Sequence, residues 1–488
     1  MVAPESNVSI HELMDSSGVR FGTSGMRGLF AQMSDQVCFA YTQAFLQTVP
    51  DAPNRRVALA MDLRPSSPAI AAACAAAIRH AGKQVAFCGA IPTPALAYFA
   101  QQKKMPGIMV TGSHIPFDRN GIKFYGLAGE ISKADEISIG NALVSLPQEG
   151  LSIALPDIDA AARRMYVERY LDYFQPGCLD GMRLGLYQHS SVARDLLVEI
   201  LEALGAEVIP LGRTDDFVPI DTEAVSAADV QLAQRWAHEH ALDAILSTDG
   251  DADRPMIADE NGLWMRGDIV GLLCAKYLAA DSVATPISSN TAIEQCGAFS
   301  KVVRTRIGSP YVIEAMERML LSGLENVTGF EANGGFLLGS GLEKNGKTLL
   351  PLQTRDAVLP ILSLLAMANE QGCKLSQLTQ NLPARFTASD RIQSFPAELS
   401  RQVMRELAAS DDAMDELLGE LGGYPTSFNQ TDGLRISLDS GEIVHFRPSG
   451  NAPELRCYAE AASQARAEQL SRESLSLIRD RYYRAPSP

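Results

Sequence analysis

The chain has 488 residues, too many for one hydrophobic core, and at roughly 150 residues per domain it implies three or four domains. Its 58 acidic and 42 basic side chains leave a net charge of −16, which repels a phosphate polymer and excludes nucleic acid as a partner of the whole surface. With 46% hydrophobic and 20% charged residues, wholesale disorder is excluded too. No run of 18 apolar residues and no charged-then-apolar leader occurs, and the eight scattered cysteines form no C-x-x-C pair. The expectation is a reduced, cytoplasmic protein without membrane association.

In chain order, VALAMD (57–62) reads as a buried strand, 67–83 as an Ala-rich helix, and VAFCGAI (85–91) and GIMVTGS (107–113) as further strands. A second block holds a helix near 166–174, the strand MRLGLY, the helix VARDLLVEILEALG, the strand VIPLG, a helix over 227–241 and the strand DAILSTDGD. The third holds the helix DIVGLLCAKYLAA, the strands VATPISS and VVRTRIG, the helix YVIEAMERMLL and the apolar run GFLLG. Such alternation predicts parallel-sheet α/β units with right-handed crossovers. The last hundred residues differ: RFTASDRIQ, GLRISLD and EIVHFRPS read as strands, with DSGE (439–442) as a hairpin turn and helices over 398–421 and 465–483, which predicts a smaller α+β domain. The expected domains are 1–153, 154–257, 258–371 and 372–488.

Chemistry concentrates in a few loops. Asp249-Gly250-Asp251-Ala252-Asp253-Arg254 follows the apolar run AILS, and three carboxylates at alternate positions can turn onto one hard cation, Mg²⁺ or Ca²⁺ rather than zinc. An EF-hand reading fails, because Arg254 stands where that loop needs Gly and a strand precedes it. Thr111-Gly112-Ser113-His114-Ile115-Pro116 offers an exposed serine at the mouth of a strand, either a nucleophile or plain turn chemistry, without a G-x-S-x-G elbow. In Arg447-Pro448-Ser449-Gly450-Asn451-Ala452-Pro453-Glu454-Leu455-Arg456, two arginines, a hydroxyl and an amide surround a Gly turn, suited to a phosphate or to an ordinary hairpin. Glu331 and Asn333 in GFEANGG could bind sugar hydroxyls, and the loop Phe21–Gly28 with Arg27 could hold an anion. Gly341–Thr348 matches the P-loop pattern letter by letter, but Pro351 and the Asn345-Gly346 turn predict a hairpin there instead. His238 and His240 lie two apart on a helix and so face different sides.

Together, and in this order, these loops resemble those of the α-D-phosphohexomutase family. D-G-D-A-D-R matches fully. Gly112 and Ile115 depart from the usual T-A-S-H-N-P, Asn451 and Ala452 from R-x-S-G-T-E-P, and Phe330–Gly334 from the usual G-E-M-S-G or G-E-Q-S-G. The resemblance implies three related α/β mixed-sheet domains and a C-terminal α+β domain, similar to the TATA-binding protein, around a central cleft. It further implies a phosphoserine at Ser113, with His114, Lys123 and Arg27 also in the catalytic group. One Mg²⁺ would be held by Asp249, Asp251, Asp253 and the phosphate on Ser113. Arg254, Gly308, Glu331 and Asn333 would contact substrate, and Arg447, Ser449, Gly450, Asn451 and Arg456 the phosphate. The expected activity is interconversion of mannose 6-phosphate and mannose 1-phosphate through a hexose 1,6-bisphosphate, which also serves as activator. Alternatives are a glucose-phosphate or dual-specificity mutase and, more distantly, an ATP-dependent sugar kinase or a non-catalytic sugar-phosphate sensor. The partner is a small hexose phosphate, and the assembly a monomer or homodimer.

Overall fold

The structure, a computed structural model, describes residues 5–22, 24–50, 53–344, 346–449 and 453–483. Its first three quarters repeat one plan three times. In the first unit the apolar strand Arg56–Met61 lies between Gln84–Ala90 and Gly107–Val110, all parallel, and Gly107–Val110 then pairs antiparallel with Arg119–Gly126. In the second, Arg183–Tyr187 lies between Glu207–Leu211 and Ala244–Thr248, and Ala244–Thr248 pairs antiparallel with Pro255–Ala258, a strand that straddles the expected boundary at 257. In the third, Ser282–Pro286 lies between Lys301–Thr305 and Val327–Phe330, and Val327–Phe330 pairs antiparallel with Phe336–Leu338.

The sheets are therefore mixed, as the family resemblance implies, whereas the strand–helix alternation by itself predicted parallel units. The physical reason is loop length. A parallel crossover needs a dozen or more residues, whereas the links 111–118, 249–254 and 331–335 are too short for one and force the chain to reverse. These three tight reversals carry the serine, the three aspartates and Glu331, so the repeat sets three chemical loops at equivalent places beyond the carboxyl end of the third parallel strand.

The three units also share one continuous apolar core, running from Ala58 through Tyr166, Leu246 and Leu273 to Leu378. The helix Val358–Gln371 lies in it, buried on nearly all sides. Apolar residues all round it leave no face period to read, which is why the sequence did not announce it. GLEKNGKT forms the antiparallel hairpin Leu342–Lys344 with Lys347–Leu349, and no helix opens at Lys347-Thr348. Asn345 of that turn lies outside the described residues.

The C-terminal unit is an antiparallel sheet in the order Phe386–Ile392, Leu455–Ala461, Ile443–Pro448, Leu434–Leu438, Pro425–Asn429, closed over its own core of Ile392, Phe395, Val444, Phe446 and Ile478. The stretch expected as helical over 398–421 is two helices, Ala397–Ala409 and Asp411–Gly419. Ser410 between them is extended, and its carbonyl accepts from Met414 N to start the second. Among the described residues no helix is long and apolar enough to cross a membrane.

Candidate active site

Ser113, expected to be exposed, is instead fully buried because the aspartate loop packs onto it, and it sits at φ 52°, a left-handed conformation that costs a non-glycine residue about 1–2 kcal/mol and must be held by its surroundings. Its Oγ donates to Asp249 Oδ2 at 2.5 Å and lies 3.3 Å from His114 Nδ1. His114 is held far below the usual imidazole range, first by the Arg254 charge, then by burial and by Arg27, so it stands there as a neutral ring.

The reversal at 249–254 turns all three aspartates inward, with Ala252 at φ 57° making the bend. Asp249, Asp251 and Asp253 are buried with carboxylate oxygens within 4.8 Å of one another, the one such cluster of potential metal ligands among the described residues. Asp249 Oδ1 accepts from the backbone N–H of Asp253 and of Arg254, each at 3.2 Å. Burial raises Asp249 well above the ordinary carboxylate range, and Asp251 and Asp253 add to the rise. Burial also works against the charge on Asp251 and Asp253, but both stay below that range. Lys123 Nζ reaches them at 2.7 and 2.6 Å, and Arg355 Nη2 reaches Asp253 at 2.7 Å. Lys123 is buried, yet its two carboxylate partners keep it a firm ammonium.

Arg355 was not foreseen. It is the penultimate residue of the strand Leu352–Asp356 and joins two loops, donating to Asp253 on one side and to Glu331 Oε2 at 2.6 Å on the other. Glu331 is thereby fixed in the buried site, while Asn333 Oδ1 accepts from Gly335 N at 2.9 Å to hold its turn. Arg254 lies 3.6 Å from Asp253 and 3.9 Å from Asp249. Half-buried Arg27 is pushed down to about 10, first by burial and then by Arg254 and Arg355. Four carboxylates (Asp249, Asp251, Asp253, Glu331) thus face four cations (Lys123, Arg254, Arg355, Arg27) around one serine hydroxyl. Thr93, also unforeseen, donates to Asp251 Oδ2 at 2.6 Å across the first two units. Gly308, at φ 133°, caps the helix Ser309–Leu321.

On the C-terminal sheet Arg447 pairs in register with Arg456, and Arg456 with Arg391, so three arginines stand in a row on one face. Like charges directly opposite are unfavourable unless anions intervene. Asp432 meets Arg447 at 3.0 Å and Glu454 lies 3.7 Å from Arg456. Ser449 is buried at the strand end, its N–H donating to Glu454 O, whereas Gly450 and Asn451 lie outside the described residues. A cavity of about 370 Å³ opens beside Arg447 and is lined also by Phe21, Lys133, Arg306 and Asp432. The structure thus brings together Ser113, His114, Lys123, Arg27, the three aspartates, Arg254, Glu331 and Asn333, with Arg447, Ser449 and Arg456 on the opposing unit. His238 and His240 stay on the helix Ala227–His240, away from the aspartate cluster.

Four family models match in succession, all described as phosphoglucomutase/phosphomannomutase: the α/β/α domain I at residues 18–147, domain II at 166–262, domain III at 266–386 and the C-terminal domain at 398–475. The chain is 47% identical to a phosphomannomutase of Salmonella muenchen, covering 97% of this chain and 98% of that one. It is 44% identical to a phosphomannomutase of Sinorhizobium fredii, covering 94% and 99%, and 27% identical to a phosphoglucosamine mutase of Thermobifida fusca, covering 94% and 98%. Among solved structures, a phosphoglucomutase/phosphomannomutase family protein of Burkholderia thailandensis superposes with a TM-score of 0.70 at 18% identity, over 94% of this chain and 97% of that one. Parafusin, a phosphoglucomutase of Paramecium in an open form, superposes at 0.66 and 14%, over 98% and 96%. Both share the fold.

Proposed function

This chain belongs to the phosphoglucomutase/phosphomannomutase family and is an enzyme of the isomerase class, and we propose that it interconverts mannose 6-phosphate and mannose 1-phosphate through a phosphoserine at Ser113. The observation that carries the proposal is the contact of the Ser113 hydroxyl with Asp249 inside a buried ring of carboxylates and cations. The choice of mannose is supported by the two relatives at 47% and 44% identity.

The aspartates fit a divalent cation. Asp251 Oδ1 and Asp253 Oδ1 are buried without a hydrogen-bond partner and lie beside Asp249 in an all-oxygen set, as a hard ion such as Mg²⁺ requires. Asp249, Asp251, Asp253 and the phosphate on Ser113 would hold it. When bound it supplies positive charge against the oxygens of the transferring group.

The chain's own residues do the rest. The Ser113 Oγ–P bond breaks as a bond from phosphorus to a free sugar hydroxyl oxygen forms. The hydroxyl's proton passes in net to Ser113 Oγ, which is left as the free serine hydroxyl, and the product is mannose 1,6-bisphosphate. After the sugar turns over, its other phosphoryl group returns to Ser113 Oγ and a monophosphate leaves. The transition state is loose and rich in oxygen charge, which Lys123, Arg254 and Arg27 counter while Arg355 keeps Glu331 and Asp253 in place. His114, neutral, steadies the serine. Glu331 and Asn333 take sugar hydroxyls, and Gly308 lines the sugar's path. Arg447, Ser449, Gly450, Asn451 and Arg456 clamp the phosphate that is not reacting, with bidentate arginine contacts as the source of grip. The division into four parts, each lending one loop, belongs to the same proposal, with the second part extended past 257 to keep the whole strand Pro255–Ala258.

Turnover on mannose 1-phosphate, glucose 1-phosphate and glucosamine 1-phosphate, side by side with Mg²⁺ and a trace of matching bisphosphate, tests it. The expected result is the highest kcat/KM on mannose 1-phosphate. A preference for glucosamine 1-phosphate would overturn the sugar assignment.

A further inference from the structure

The serine loop has no helix or sheet ladder of its own, yet it holds Ser113 in a strained conformation. What holds it is Arg64, 49 positions earlier in sequence and completely buried. Arg64 Nη1 donates to Pro116 O at 2.7 Å and Arg119 O at 2.9 Å; Nη2 donates to Ser113 O at 2.9 Å and Ile115 O at 2.5 Å. Nε lies 3.3 Å from Asp62 Oδ2, and that carboxylate accepts from Thr111 Oγ1 at 2.8 Å and Gly112 N at 3.2 Å. One buried ion pair therefore gathers both ends of the loop: Asp62 takes its donors and Arg64 its carbonyls.

The departure of Gly112 from the family's alanine has a physical reason. A Cβ at that position would come within 2.5 Å of the Arg64 guanidinium carbon, so the glycine makes room for the fork. The outer face of the guanidinium is covered from the second unit by Phe217, whose ring centroid lies 4.0 Å from Arg64 Cζ. The same ring borders Gly250 of the aspartate loop, where a Cβ would be 3.3 Å from Phe217 and 3.1 Å from Ser113 O. Phe217 thus touches the arginine that shapes the serine loop and also the loop that carries the aspartates.

We propose that Arg64 is a positioning residue for Ser113, and that Phe217, stacked on it, keeps the serine loop in register with the aspartate loop. The inference rests on Ser113 being the phosphoryl carrier. A misplacement of about 1 Å at a reacting atom costs on the order of 100-fold in rate, so loosening this clamp lowers kcat rather than substrate binding. Arg64 and Phe217 touch the loops from behind and not the sugar phosphate, so KM stays where it is.

The experiment compares Phe217→Leu, Phe217→Tyr and Arg64→Lys with wild type for kcat, KM and melting temperature, and includes Ser113→Ala. Phe217 is partly exposed, so its variants keep the test informative if Arg64→Lys does not fold. The expected result is a kcat about tenfold lower for Phe217→Leu, KM within about twofold, melting unchanged, and recovery in Phe217→Tyr, with a larger kcat loss of about 100-fold for Arg64→Lys. Wild-type kcat in Phe217→Leu, or a rise in KM without loss of kcat, would overturn the inference. If Ser113→Ala is inactive while Phe217→Leu is normal, this inference alone fails; an active Ser113→Ala would bring down the phosphoserine reading as well.

Discussion

The three repeated units and the C-terminal unit handle charge in different ways. In the repeats, the serine, aspartate and Glu331 loops stand at equivalent strand ends above one shared core, and their charges are interlocked: Lys123 spans two aspartates, and Arg355 joins Asp253 to Glu331. The C-terminal unit has a core of its own and reaches the third unit through polar contacts, among them Asn290 with Arg385 O, Thr291 N with Glu460 and Ile307 N with Asp432. Its arginine row is only partly neutralised. On the proposed mechanism, the groups that meet the transition state are pre-positioned on one packed body, while the groups that grip a phosphate ride on a separately built domain. That mechanism predicts that the first set governs kcat and the second KM.

The largest effect is expected inside the interlocked set. Asp253→Asn removes the anion shared by Lys123 and Arg355, leaving buried cations underpaired. Activity should fall by more than about 1,000-fold and stability by about 3–5 kcal/mol, measured by kcat and by denaturant unfolding. Wild-type stability in this variant would show that the charges are not interlocked. Next, Arg447→Ala on the other side of the cleft should raise KM by about 10- to 100-fold, with kcat within a few-fold and melting little changed. A kcat loss at constant KM would erase the distinction between the two regions.

The smallest effect concerns His445, behind Arg447 on the same face. Its Nε2–H donates to Asp432 O at 2.6 Å, and burial, with Arg435 and Arg447 nearby, pushes it down to about 4. The unfolded imidazole titrates near 6.5 and binds the proton the folded one refuses. Its contribution to stability is therefore present above about pH 6.5 and lost as pH falls toward 4. In His445→Gln, the loss of stability between these values should shrink by about 1–3 kcal/mol, read from urea unfolding across pH. An unchanged slope would mean that His445 is not the titrating group.

Much of this was legible in the chain, for physical reasons. Asp249, Asp251 and Asp253 announced themselves because three carboxylates at the end of an apolar run have no structural use. The strands Arg56–Met61, Arg183–Tyr187 and Ala244–Thr248 showed as apolar runs bounded by turns. What stayed hidden was long-range. Arg64 and Arg355 sit among ordinary neighbours in sequence, and only folding sets them against carbonyls of residues 113–119 or against Asp253, 102 positions away. The antiparallel reversals were legible in principle from the shortness of the links 111–118, 249–254 and 331–335. The expected crossovers ignored that length. Gly112 stood out as a departure from pattern, but its meaning needed the position of the Arg64 guanidinium.

The central claim is that Ser113 carries the phosphoryl group between the two ends of the sugar. Its most direct test is mass spectrometry of the peptide holding Ser113, before and after mixing with mannose 1,6-bisphosphate and then with excess mannose 1-phosphate. The account predicts that one phosphoryl group appears on Ser113 as bisphosphate is converted to monophosphate, and that it leaves as bisphosphate re-forms, at a rate no slower than turnover. Full turnover with Ser113 never phosphorylated would contradict it.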